Sequence, residues 1–129
     1  MSNQLILVTP PDDILTDGIR ILAYDLLPEQ SKLLSDVLKS LDIKIDVITY
    51  IAKLGDDTSW VLDKKQKCSI IYFNAESEDQ TMVGYLAAQP NAFYFGNLRS
   101  INFANNKRIN SSETIKTIME GEASKYARI

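Results

Sequence analysis

The chain has 129 residues, 45% of them hydrophobic, with a net charge of −3 and a calculated pI of about 4.9. Length and composition predict one domain over 1–129 with an ordinary core, and the acidic balance argues against nucleic acid and anionic membranes as partners. With no His and a single Cys, Cys68, the sequence excludes imidazole catalysis, imidazole metal ligation and an intrachain disulfide.

In chain order, Leu5-Ile6-Leu7-Val8 is a short apolar run stopped by Pro10-Pro11, which cannot continue a sheet ladder. It predicts an extra N-terminal edge strand in a leading segment, 1–17, ahead of an α/β core at 18–129. Ile19 to Tyr24 reads as a strand ending near Asp25. Pro28 suits the first position of a helix, and Leu33, Leu34, Val37, Leu38 and Leu41 form one helical stripe after it. Ile43 to Ile51 alternates and is β-branched, which predicts a strand. Gly55-Asp56-Asp57 is a turn whose Asp residues are placed to cap a short helix carrying Trp60, Val61 and Lys64.

The stretch SIIYFNAESEDQ follows. Ile70 to Phe73 reads as a buried strand that stops at Asn74 and runs into a polar helix start. Ser77 with Gln80 fits a capping box. The helix beyond carries Met82, Val83, Leu86 and Ala87 and ends before Pro90. Asn91 to Gly96 predicts a further strand, and Ile101 to Ala104 a last one, with a hairpin between these two runs as the alternative. Asn105-Asn106-Lys107-Arg108 reads as a solvated loop. Ser112 is placed to cap a final helix bearing Ile115, Ile118, Met119, Ala123 and Tyr126.

Strands alternating with helical patterns predict a doubly wound, mostly parallel sheet of about five strands with helices on both faces. In such a sheet ligands sit outside the carboxyl ends of the strands. The candidate ligand-binding residues there are Asp25, Asn74, Glu76 and Asn97. Glu76, Glu78 and Asp79 surround a helix start and oppose bare phosphate, and a magnesium site with Asp25 would be thinly ligated. The turn also has a simpler reading as a strand end and helix cap. Neither GxGxxG nor GxxxxGK[ST] occurs. Cys68 reads as a small core residue.

The stretch IRILAYDLLPEQSKLLSDVLKSL resembles the first strand and helix of the receiver domain of two-component response regulators, and SIIYFNAES falls where that family carries its phosphoacceptor strand. The likeness spans residues 19 to 80 and implies a flavodoxin-like fold. Its chemistry does not carry over. Asp25 is followed by Leu26 where the family has a second acidic residue, Asn74 stands at the phosphoacceptor position, and Gly96-Asn97 replaces the family's hydroxyl. Lys107 is the candidate for the family's lysine. DKKQKCSIIYFNAESEDQT and VGYLAAQPNAFYFGNLRSI are also similar to small conserved proteins of T4-like tailed bacteriophages with no assigned function.

These readings predict a non-enzymatic protein-interaction domain without cofactors, cytoplasmic and not membrane-spanning, with a phage accessory or regulatory role as its setting. The alternative is a small-molecule or nucleotide-binding domain using the strand-end crevice. Leu5, Leu7, Tyr94 and Tyr126 are the candidate interaction residues, and a homodimer or larger assembly is expected. Two features motivate that assembly: the N-terminal apolar run and the C-terminal amphipathic stripe, both of which need cover.

Overall fold

Apolar residues three and four apart place Leu34, Val37 and Leu38 on one side of a helix, and all three are buried. A computed structural model describes residues 3–7, 18–43, 45–58, 68–98 and 107–125. The elements are β1 (Asn3–Leu7), β2 (Ile19–Tyr24), α1 (Pro28–Ser40), β3 (Val47–Ala52), β4 (Ile70–Asn74), α2 (Gln80–Ala87), β5 (Ala92–Phe95), β6 (Lys107–Arg108) and α3 (Ser112–Ser124). The strands form one sheet in the order β1-β3-β2-β4-β5-β6, and every pairing among the described residues is parallel. From β2 the chain goes by α1 to β3 on one side and then returns to β4 on the other. The order therefore reverses between β2 and β4.

Parallel strands covered on both faces carry continuous apolar runs. β2 and β4 are buried almost throughout. Alternation sends their residues to two separate cores. Ile19, Ile21, Ala23, Val47 and Tyr72 pack beneath α1 and α3. Leu22, Tyr24, Ile48, Tyr50, Ile71 and Phe73 pack beneath α2. The helices thus lie on both faces, as the sequence pattern predicts. Among the described residues no helix is long and apolar enough to cross a membrane.

Several local expectations are corrected. β3 begins at Val47, not Ile43. Gly18, at φ 112°, brings the chain so close to Asp46 that an added Cβ would stand 2.7 Å from its carbonyl oxygen. That carbonyl accepts the Ile19 N–H at 2.8 Å, which fixes where the ladder starts. Ile43 is still buried, as a plug beneath α1 and α3. The Asp56 carboxylate accepts the Lys53 N–H at 2.8 Å and closes a turn. The segment carrying Trp60, Val61 and Lys64 lies outside the described residues, as do Ile101 to Ala104 and Tyr126.

Lys107-Arg108 is strand, not loop, and pairs in parallel with Phe93 and Tyr94. α3 is capped by Ser111, not Ser112. β1 pairs with β3 of its own chain, and α3 buries Ile115, Met119 and Ala123 on its own sheet. Among the described residues, the N-terminal run thus has one paired edge within the chain, and the C-terminal stripe buries Ile115 and Met119.

Candidate functional site at the carboxyl ends of the strands

The register aligns Tyr24 with Phe73 and Asn74 with Phe95, which places Asp25, Asn74 and Gly96-Asn97 at the carboxyl ends of three adjacent strands. This is the point where the strand order reverses. Asp25 sits there at φ 49°, the left-handed conformation that Asp tolerates better than most residues. Its N–H is held by the Ala52 carbonyl at 2.8 Å.

Asn74 is buried, and its Oδ1 accepts the Glu76 N–H at 3.0 Å in an Asx turn. The Ser77 N–H returns to the Asn74 carbonyl at 3.1 Å. Glu76 then reaches sideways, and its Oε2 accepts the Asn97 N–H at 3.0 Å. Gly96, at φ 85°, makes that approach feasible, because a Cβ there would lie 2.9 Å from the same oxygen. Arg108 adds a second tie, donating its Nε–H to the Gly96 carbonyl at 2.9 Å. Asn74, Glu76 and Asn97 are joined by these bonds, and Asp25 stands outside them at the end of the neighbouring strand. Asn74 and Glu76 spend an acceptor on backbone N–H groups of the two loops, and Asn97 contributes such an N–H. Sequence reasoning missed Arg108, whose only signal was a place in a polar run.

The predicted capping box at Ser77 and Gln80 is replaced by a different cap. Asp79 is the N-cap of α2, and its Oδ1 accepts the Met82 N–H at 3.0 Å. A carboxylate outcompetes a hydroxyl for that place beside the helix dipole. Ser77 is buried instead, its hydroxyl beside the Tyr24 phenol. Gln80 turns its amide back to the Ala75 carbonyl at 3.3 Å. Burial, and then the charge of Asp79, push the Tyr24 phenol above its ordinary range.

Tyr94 is not on an edge: β5 lies between β4 and β6, and the Tyr94 ring packs against Phe73 at 6.1 Å between centroids. Leu5 and Leu7 align in register with Thr49 and Ile51. Lys107 stands within β6, opposite Phe93, ahead of the carboxyl end of β5. Cys68 is buried, and burial pushes its thiol up to about 12, as expected of a core residue. Among the described residues, no cluster of three or more His, Cys, Asp or Glu side chains is disposed to hold a metal ion. Comparison with protein-family models, with curated proteins and with solved structures returned no match.

Proposed function

We propose that this chain is a non-enzymatic protein-interaction domain on a receiver-like, flavodoxin-like scaffold, with a phage accessory or regulatory role in the host cytoplasm as its setting. Counted from β2, the order β3-β2-β4-β5-β6 is the 2-1-3-4-5 order of that doubly wound class. The observation that carries the reading is the bond from Glu76 to the Asn97 N–H. Together with the Asx turn at Asn74, it spends on backbone the acceptors that would otherwise face an incoming ligand. Asn74 has no carboxylate to take a phosphoryl group. Leu27 and Leu54, in the loops leaving β2 and β3, and Tyr85 on α2 are large apolar side chains left exposed.

A second reading, a nucleotide or small-molecule site in the crevice, is favoured by the left-handed backbone at Asp25, since such conformations concentrate at functional sites. Thermal unfolding with magnesium, acetyl phosphate and a nucleotide series separates the two. The expected result is an unchanged midpoint throughout. A rise of several degrees with one nucleotide, lost in Asp25→Ala, would overturn the interaction-domain reading.

A further inference from the structure

On the face covered by α1 and α3, the packing is uneven. α3 contributes Ile115, Met119 and Ala123 to the core around Tyr72 and Phe95, while the β3 side of that face is left to α1. Where α1 meets β2 and β3, a groove of about 300 Å³ remains. Its floor is Ala23, Thr49 and Ile51, and Leu26, Leu34 and Leu38 wall it. Ala23 and Thr49 are short side chains, which is why the space is not filled. The volume is about twice that of an engineered apolar cavity that takes benzene (~150 Å³) and reaches the lower end of natural ligand sites (~300 Å³).

The second observation is Thr49 itself. It is only 1% exposed, it lines the groove, and its Oγ1 has no hydrogen-bond partner. Buried hydroxyls are rarely left so, because desolvation goes uncompensated. A threonine hydroxyl can donate or accept, so one polar group on a ligand would satisfy it. Among the described residues the floor and walls carry no charge. The nearest charged group in the lining is Lys32, at the exposed rim and ion-paired with Asp36 at 2.8 Å. An ionic ligand would find no counter-charge below that rim.

We propose that this groove binds a small, uncharged, chiefly apolar molecule bearing one hydroxyl or similar group, with its ring or branched body against Ala23, Leu34, Leu38 and Ile51 and its polar group on Thr49. The groove reaches Leu26, next to Asp25, but shares none of Asp25, Asn74, Glu76 and Asn97, and the proposal stands whether or not the interaction-domain reading holds.

Methyl-labelled protein titrated with phenol and with benzene tests it. Phenol should produce saturable shifts at Ala23, Leu34, Leu38, Thr49 and Ile51 in the millimolar range, several-fold tighter than benzene. Thr49→Val should remove the preference for phenol while benzene still binds. Thr49→Ser, which keeps the hydroxyl, should retain the preference and serves if the valine variant fails to fold. Ser35→Trp, at the groove wall, should abolish binding of both probes without changing the rest of the spectrum. Absence of saturable shifts at these residues with millimolar phenol, equal affinity for the two probes, or a phenol preference that survives Thr49→Val would overturn the proposal.

Discussion

The Glu76 carboxylate accepts the backbone N–H of Asn97 at 3.0 Å, across the carboxyl ends of β4 and β5. The neighbouring Gly96 is left-handed, and a methyl there would press on the same carboxylate. Gly96→Ala should therefore cost about 2 kcal/mol, part backbone strain and part displacement of Glu76. Urea unfolding of Gly96→Ala, Glu76→Ala and the double variant separates the two parts. The penalty at Gly96 should shrink when Glu76 is already truncated.

Two buried phenols should respond oppositely to the same change. Tyr72 is fully buried, its ring is 6.1 Å from that of Phe93, and its hydroxyl has no partner. Tyr72→Phe should leave stability unchanged or raise it by about 1 kcal/mol, since an unpaired polar atom leaves the core. The Tyr24 hydroxyl stands beside that of Ser77, so Tyr24→Phe should lose up to about 1 kcal/mol. Chemical denaturation of the two variants checks the contrast.

Alkali should destabilise the fold in a defined sequence. Burial raises the Cys68 thiol from 9.0 to about 12, so the folded state holds this proton more tightly than the unfolded state does. The stability linked to it is complete below pH 9.0 and is lost as pH rises towards 12. Tyr24, Tyr50 and Tyr72 are also raised above 10.0, and their losses begin later. Between pH 9.0 and 10.0 Cys68 should account for about 1 kcal/mol of the fall, with the onset of the tyrosines adding to it. Cys68→Ala should make that interval shallower and leave the steeper fall above it. The same burial predicts slow iodoacetamide labelling of the native protein and rapid labelling in denaturant.

Helix capping gives a comparison one residue wide. Ser111 has the extended backbone of a cap and its Oγ accepts the Thr114 N–H at 3.4 Å, whereas Ser112 is the first helical residue. Ser111→Ala should cost about 1 kcal/mol and Ser112→Ala close to nothing, read from thermal unfolding midpoints. Asp79→Ala should cost about 1 kcal/mol by the same logic at α2.

What the sequence disclosed, and what it hid, follows from the range of the forces involved. The stripe through Leu34, Val37 and Leu38, and the stop at Asn74 after four apolar residues, are local periodicities, so α1 and β4 were legible at once. The late start of β3 was not, because it depends on Gly18 approaching Asp46 from a distant part of the chain. The strand at Lys107-Arg108 exists only through its ladder with β5 and carries no apolar signal. In SEDQ, four polar side chains compete for one helix start, and Asp79 takes it while Ser77 is buried. The site residues Asn74, Glu76 and Asn97 were found because strand ends are predictable. That Glu76 would bond the Asn97 backbone was not, since that partner comes from the loop after another strand.

The sheet divides the apolar interior into two compartments that share only backbone. A change in side-chain volume beneath α1 and α3 is felt by neighbours there, while the compartment beneath α2 registers little of it. Substitutions on opposite sides should therefore add, and those on one side should need compensation from each other. A lineage carrying this fold can rework one half of its interior while the other half stays as it was. Relatives would then retain one recognisable set of core residues beside another that has drifted past recognition.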